Sequence, residues 1–293
     1  MLDLSLQILG IMLPSILLAS IGVFWQRSGR EFPRDFVTTL VLNISLPALI
    51  FFTLVTATVD SETLWTIGYA AVCVHILFLI VVFILMKVSG KDLRLAVAFT
   101  VGNTGNLGLP LCLLAFGETG LIYAITFFAI QSVFLFTIGE AIYAGRLDIW
   151  RILKSPTIYS IVAALTVRGL EIPVHQILLD TTQLVGQIVV PLMLITLGVA
   201  IAGMRATNLN SNLVWSLIRT LIAIAIGFGV AEWFELEGVV RGVLIIETIV
   251  PVAVFNYLLA YRHKMDSSEI SGLILVTHLG ALIYLPIVLA FVL

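Results

Sequence analysis

The residues best suited to hold a ligand lie in one short stretch, 102–110, which reads GNTGNLGLP. Its glycines and proline disfavour a continuous helix, because glycine costs about 1 kcal/mol and proline about 3 kcal/mol in a helix interior. A helix broken here would aim the free N–H groups and positive dipole end of its second half at whatever lies before it. Asn103, Thr104 and Asn106 add neutral donors and acceptors. The stretch predicts a site for a small anion; the alternative is that these amides only cap the freed backbone.

A second stretch, 247–256, carries a weaker signal of the same kind, with Pro251 and no glycine. An acid is costly at the centre of a bilayer, so Glu247 is a candidate for binding Na+ or carrying a proton. The competing interpretation is a structural acid, protonated or paired with an arginine. Gln131 is a further candidate for the wall of the site.

Three other polar residues fall inside apolar segments and are left out of the predicted site. His75 and His278 are interpreted as neutral, hydrogen-bonded packing residues. Arg219 is interpreted as a cation that is paired or that snorkels to the membrane surface.

Composition excludes several classes of protein. Hydrophobic residues make up 60% of the 293 residues and charged residues 11%, with a mean hydropathy of +1.16, which no water-soluble fold accommodates. The net charge of -2 argues against a nucleic-acid partner, since phosphate recognition needs an excess of Lys and Arg. No nucleotide-hydrolysis, zinc-protease or nucleophile-elbow motif occurs, so neither an enzyme nor a bound cofactor is predicted.

The apolar segments predict an all-α integral membrane protein with ten transmembrane helices. A spanning helix needs about 20 mostly apolar residues. Ten segments reach or approach that length: 5–26, 36–55, 63–86, 94–116, 119–143, 157–170, 178–202, 212–234, 239–261 and 270–292.

The basic residues predict how these helices are oriented. Twelve Lys and Arg residues lie in loops after the odd-numbered segments, whereas the opposite side holds only Arg168 and Arg241. Because cytoplasmic loops carry the excess of Lys and Arg, we expect both termini outside, in the periplasm of a bacterial cell with this protein in its inner membrane.

Three pairs of prolines recur at nearly constant spacing, Pro14 with Pro156, Pro47 with Pro191 and Pro110 with Pro251. They divide the chain into a first five-helix repeat, 1–143, a cytoplasmic linker, 144–156, and a second repeat, 157–293. Five is odd, so the second repeat must be inverted, and inverted repeats with paired broken helices are typical of secondary transporters. The alternative is coincidence, since proline is tolerated in membrane helices.

Several motifs together resemble the auxin efflux carrier family over nearly the whole chain: LNISLPALIF at 42–51, GNTGNLGLP at 102–110, FGE at 116–118, VPL at 190–192, and ETIVP at 247–251. The resemblance implies the fold of the bile acid:sodium symporters, with broken helices 4 and 9 crossing at Pro110 and Pro251. It implies a scaffold of helices 1, 2, 6 and 7 around a moving core of helices 3–5 and 8–10. The short linker indicates a prokaryotic member.

Family members carry organic carboxylates such as auxin or malate, and the resemblance implies a substrate contact for Asn103, with Asn106 and the helix 9 crossing as neighbours. In sodium-coupled relatives an acid at the helix 9 crossing binds the ion, which implies that role for Glu247; the auxin-carrier branch need not use sodium.

The resulting expectation is an elevator-type transporter of a small organic anion, with Asn103, Thr104, Asn106, Pro110, Pro251, Asn256 and Gln131 at the substrate and Na+ or H+ as the candidate coupling ion. The alternatives are a sodium-coupled symporter of the bile-acid type and a membrane receptor that binds without flux. The expected partners are the organic anion and the lipid bilayer, with a homodimer as the candidate assembly.

Overall fold

The computed structural model describes residues 2–145, 155–204, 208–265 and 267–293. Every regular element in these ranges is an α-helix or a short π-helical turn, and the one extended pairing among them is an isolated bridge between Gly102 and Val252. The predicted all-helical class is confirmed. Most of the predicted linker, and with it Arg146, Arg151 and Lys154, lies outside the described residues.

We number the helices after the ten predicted segments. They are α1 (Leu2–Arg27), α2 (Arg34–Val55), α3 (Ser61–Val88), α4a (Leu95–Thr100), α4b (104–116), α5 (118–144), α6 (Pro156–Gly169), α7 (Gln176–Gly203), α8 (Leu209–Trp233), α9a (Gly238–Ile249), α9b (Phe255–Arg262) and α10 (Ser267–Val292).

Seven helical stretches of the described chain are long and apolar enough to cross a membrane. Their outer surfaces expose large apolar side chains, among them Leu9 at 57%, Leu184 at 68% and Ile283 at 72%. Exposed apolar surface on this scale is unfavourable in water and suits contact with lipid. The chain is an integral membrane protein that crosses the bilayer several times.

The longest of these stretches, Thr104–Ala144, is two helices joined by a reversal at Gly117. Gly117 has φ 64° and ψ -153°, which is strained for any residue with a Cβ atom. Gly120 packs so closely against the Cys112 carbonyl that an added Cβ would lie 2.5 Å from it. Residues eight apart cannot meet in a continuous helix, so the chain folds back here and separates α4b from α5.

Two helices are interrupted near their middle. The first ends at Thr100, and the chain resumes in a π-turn, Thr104–Gly108. The second ends at Ile249 and resumes at Phe255. We call residues 101–103 and 250–254 together the crossover.

The first interruption does not lie at its proline, which is a correction to the implied position. Pro110 lies beyond the π-turn, in the first turn of the α-helical part of α4b. Proline has no backbone N–H. The N–H groups in the first turn of a helix have no intrahelical acceptor, so proline is tolerated there. Pro47 likewise follows a π-turn, Val41–Ser45. Pro251, in contrast, lies within the unwound segment.

Candidate functional site

The two interrupted helices meet through their backbones. The Asn103 N–H donates to the Pro251 carbonyl at 2.6 Å, and the Ala253 N–H donates to the Val101 carbonyl at 3.0 Å. These two bonds run antiparallel around the bridge between Gly102 and Val252. Unwound backbone at membrane depth needs such partners, because hydrocarbon offers none.

Side chains satisfy the carbonyls at the end of α4a. Asn256 donates its amide to the Ala98 carbonyl at 3.3 Å and to the Val101 carbonyl at 3.2 Å. Gln131 donates to the Gly102 carbonyl at 2.9 Å and to the Thr104 hydroxyl oxygen at 2.6 Å. Both amide hydrogens of Gln131 are therefore used. Gln131 and Asn256 cap freed backbone carbonyls here, a role that the sequence offered only as the alternative for the amides of 102–110.

Asn103 is held by a histidine from α10. Its amide nitrogen lies 2.9 Å from His278 Nε2, and His278 Nδ1 lies 2.8 Å from the Ile274 carbonyl. A carbonyl only accepts, so Nδ1 carries the proton and Nε2 accepts from the Asn103 amide. The second N–H and the Oδ1 atom of Asn103 are left for another partner.

A second histidine supports Gln131. His75 Nε2 lies 3.4 Å from Gln131 Oε1, its Nδ1 lies 2.7 Å from the Ala71 carbonyl, and its ring packs between Phe127 and Phe134. Both histidines are buried and hydrogen-bonded, as predicted, and both also contact predicted site residues from which they had been left out. The signal that could have found them is their position at mid-helix, where a polar side chain in a membrane needs a specific partner.

A cavity of about 370 Å³ begins at the crossover. Its polar wall comes from the crossover and five helices, and its apolar wall is rich in aromatic rings. Its principal residues are Thr38, Asn43, Asn103, Thr104, Asn106, Gln131, Phe128, Phe136, Met193 and Phe255. Of the predicted substrate residues, Asn103, Thr104, Asn106 and Gln131 line it. Pro110, Pro251 and Asn256 lie outside its wall, as does Glu247.

Asn43 on α2 is a lining residue that the sequence did not predict as part of the site. Its neighbourhood, 42–51, entered the prediction only through the family resemblance and the proline pairs. The polar residue beside a helix kink was the available signal, because kinks in membrane helices expose backbone that polar side chains help to satisfy.

Two helix N-terminal ends contribute positive potential to the cavity. The N-terminal ends of α4b and α9b both line it, at Gly105 and Phe255, and the first N–H groups of a helix have no intrahelical acceptor. Among the described lining residues there is no Lys or Arg. The one lining carboxylate, Glu140, lies at the far end beside His263, at 3.2 Å.

Glu247 is buried behind the crossover, with 1% of its surface exposed. Its carboxylate packs against Gly108, where an added Cβ would lie 2.2 Å from Oε2. Oε1 lies 3.6 Å from the Cys112 thiol, and Oε2 has no hydrogen-bond partner. No cluster of three or more His, Cys, Asp or Glu residues that could hold a metal occurs in the described part of the chain.

Arg219 on α8 is fully buried, so the expectation that it snorkels is wrong. It donates to the Phe99 carbonyl at 3.3 Å and to the Ile249 carbonyl at 3.1 Å. Its guanidinium also lies 5.5 Å from the centre of the Phe78 ring.

Comparison with known proteins identifies the family to which this chain belongs. A family model described as membrane transport protein matches residues 7–149 and 142–289. An uncharacterized transporter of Methanocaldococcus jannaschii is 27% identical over 290 residues, covering 89% of this chain and 91% of the relative. The chain therefore belongs to the membrane transport protein family, which confirms the resemblance to the auxin efflux carriers and makes it a transporter rather than an enzyme.

Proposed function

We propose that this protein is a secondary transporter that binds a small organic anion at the base of the cavity and moves it by alternating access. The observation that carries the proposal is the meeting of two helix N-terminal ends and several neutral polar side chains at one cavity beside the crossover. Oriented N–H groups stabilise negative charge without burying a permanent countercharge.

The cavity wall favours a monocarboxylate with an apolar body. One end offers the Asn103 amide and the Thr104 hydroxyl, whose oxygen already accepts from Gln131. The remainder is lined by Phe128, Phe136 and Phe255. A second carboxylate would meet these rings with no cation to balance it, so an auxin-like ligand fits better than a malate-like one.

The helix arrangement supports ten membrane passes in two inverted repeats, with α4 and α9 as the broken pair. α1 packs against α7 at backbone contact: a Cβ on Gly22 would lie 1.9 Å from the Ile195 carbonyl oxygen, and one on Gly198 would lie 1.8 Å from that of Ala19. Such contact between small residues is typical of fixed helix pairs in membranes.

The position of the cavity supports an elevator mechanism. Asn43 and Met193 come from the proposed scaffold, on α2 and α7, whereas Asn103, Gln131 and Phe255 come from the proposed core, on α4, α5 and α9. A ligand between the two groups of helices would move with the core as it slides along the scaffold.

The orientation proposed from the basic loops makes this conformation inward-facing. The cavity extends from the crossover to Glu140, Ser155 and Leu259, at the ends of α5, α6 and α9b that join the predicted cytoplasmic loops. We propose the inner membrane as its location, with both termini periplasmic. Assembly as a homodimer stays a prediction.

A sodium-coupled symporter of the bile-acid type is the second candidate, and the orphaned Oε2 atom of buried Glu247 is the observation that favours it. An unpartnered carboxylate oxygen at this depth is costly unless it binds a cation or a proton. A receptor that binds without flux is the remaining alternative.

Counterflow in proteoliposomes tests the proposed function. Vesicles preloaded with unlabelled indole-3-acetate, benzoate or malate are diluted into a trace of the labelled compound. We expect transient accumulation with the aromatic monocarboxylates and little with malate, at the same rate with or without sodium. Binding of a carboxylate without counterflow would favour the receptor, and accumulation that needs sodium would favour the symporter.

A further inference from the structure

One guanidinium group contacts the C-terminal ends of both interrupted half-helices. α4a ends at Thr100 and α9a at Ile249, and the last carbonyls of a helix have no intrahelical partner. Arg219 donates from Nε to the Phe99 carbonyl and from Nη1 to the Ile249 carbonyl. These carbonyls belong to residues separated by 150 positions in sequence, so a side chain from a third helix joins them.

The two ends would otherwise concentrate negative potential at the centre of the membrane. Each helix C-terminus carries about half of a negative elementary charge, and a cation nearby is stabilised by it. The Tyr284 hydroxyl also donates to the Ile249 carbonyl, at 3.2 Å, but supplies no charge. Arg219 is therefore the cation that balances these dipoles.

No acid neutralises this cation within the described part of the chain. Arg219 has 0% of its surface exposed and forms no ion pair there, with Glu247 or any other carboxylate. Arginine keeps its proton inside proteins, and a buried charge is retained only where its surroundings compensate it. The carbonyl ends supply that compensation at Nε and Nη1, and the face of Phe78 adds to it, whereas Nη2 has no hydrogen-bond partner in the described part of the chain.

Gly102, in the first break, lies beside the guanidinium. A Cβ on Gly102 would lie 3.4 Å from Arg219 Nη2, which is van der Waals contact, and 3.0 Å from the Val250 side chain. The cation is therefore packed directly against the backbone of the crossover.

We propose that Arg219 is a tethered cation that takes the electrostatic place of a coupling sodium ion at the crossover. Unwound carbonyls and half-helix C-terminal ends coordinate sodium in transporters with broken helices, and here a side chain of the protein occupies these acceptors. If Arg219 takes this place, transport needs no sodium at these half-helix ends, and that consequence rests on the proposed transport function. The structural claim, that a fixed cation occupies the place of an ion site, is independent of the transport function.

Thermal unfolding of the purified protein tests the tethered cation independently of transport. Wild-type protein is expected to melt at the same temperature in sodium chloride and in choline chloride. Arg219→Ala is expected to melt several degrees lower in choline chloride and to regain stability with millimolar methylguanidinium or with sodium. Arg219→Lys should lie between the two, and Arg219→Met should stay low because it restores volume without charge.

Arg241→Ala is the matched control, since Arg241 also lies 5.5 Å from an aromatic ring, that of Phe228, but is partly exposed and caps no broken helix. It should show no rescue by small cations. Full stability of Arg219→Met would overturn the proposal, because packing alone would then explain the residue. Stabilisation of the wild type by sodium over choline would also overturn it, and that measurement stands even if no variant folds.

The transport consequence is tested separately by wild-type counterflow in sodium and in choline buffers. Equal rates are expected, and a rate that needs sodium would overturn the coupling inference. Absence of counterflow in both buffers would contradict the proposed function. The tethered cation would then be tested by the thermal unfolding measurements alone.

Discussion

Asn103 combines structural contacts with polar atoms at the wall of the cavity. Its backbone joins the breaks, since its N–H donates to Pro251. Its side chain donates to His278 and still turns polar atoms toward the cavity. The amide thus serves structure through one hydrogen and is available to a ligand through the other.

At this scale we predict that His278 positions Asn103. His278→Phe removes the acceptor at Nε2, frees the amide and should reduce the counterflow rate about tenfold or more, since a hydrogen bond to a charged group is worth about 1.5–3 kcal/mol when its donor is aligned. His278→Gln keeps an acceptor and should retain more activity. Equal loss in both variants, or an unchanged rate in His278→Phe, would contradict the positioning role.

At the scale of helices, the glycine contact between α1 and α7 determines whether the proposed scaffold forms. Gly22→Ala and Gly198→Ala each place a Cβ within 2 Å of a carbonyl oxygen, and we expect each to destabilise the protein by about 1–3 kcal/mol or more.

Gly10→Ala is the matched control on α1, because nothing lies within 4 Å of an added Cβ there. It should leave the melting temperature unchanged or raise it, since alanine favours helix over glycine by about 1 kcal/mol. Equal melting temperatures for all three variants, measured in the same detergent, would show that the contact does not hold the helices together.

The start of α3 gives a prediction about pH. Asp60 accepts from the Thr63 N–H at 2.7 Å and from its hydroxyl at 2.8 Å, and these bonds hold the pKa of Asp60 below its ordinary value of 3.8. A carboxyl with a lowered pKa stabilises the fold above its unfolded pKa and loses that effect as the pH falls through its folded value.

We therefore expect Asp60→Ala to lower the melting temperature at neutral pH, and the difference from wild type to shrink as the pH falls below 3.8. Asp60→Asn, which keeps an acceptor for the helix N-cap, should lose less. A difference that does not depend on pH would assign the effect to something other than the ionised cap.

At the scale of the whole molecule, the sequence predicted the all-helical membrane class and the two stretches that contain breaks, but neither the exact position of the first break nor the side chains that contact the unwound backbone. Glycine and proline reveal a disfavoured helix locally, so the interruption near Gly102 was predictable. The contacts of Asn103 with His278 and of Gln131 with His75 span 175 and 56 residues. Pairings at such separations depend on how the helices pack, which one sequence does not specify.

Arg219 shows the same limit in another form. The charge of a lone arginine in an apolar segment is usually neutralised by a nearby acid or reaches water at the membrane surface. Here its acceptors are backbone carbonyls, which every residue has and which become available only where helices end. A side-chain pattern therefore cannot reveal them.

The proposed inward-facing cavity predicts which positions are reachable by water. Asn43 and Ile44 are adjacent on α2 and both exposed, but only Asn43 lines the cavity. With the native cysteines replaced by serine, Asn43→Cys should react with a membrane-impermeant thiol reagent from the cytoplasmic side and be protected by indole-3-acetate. Ile44→Cys, facing lipid, should not react, and labelling of Asn43→Cys only from the periplasmic side would contradict the orientation.

The most direct test of the central claim is counterflow of labelled indole-3-acetate by wild-type protein and by Asn103→Ala, reconstituted at equal amounts after both are shown to be folded. The account predicts transient accumulation in wild-type vesicles and its loss in the variant, because the amide at the crossover binds the carboxylate. Accumulation by both at equal rates would contradict the claim that the anion is bound at this crossover.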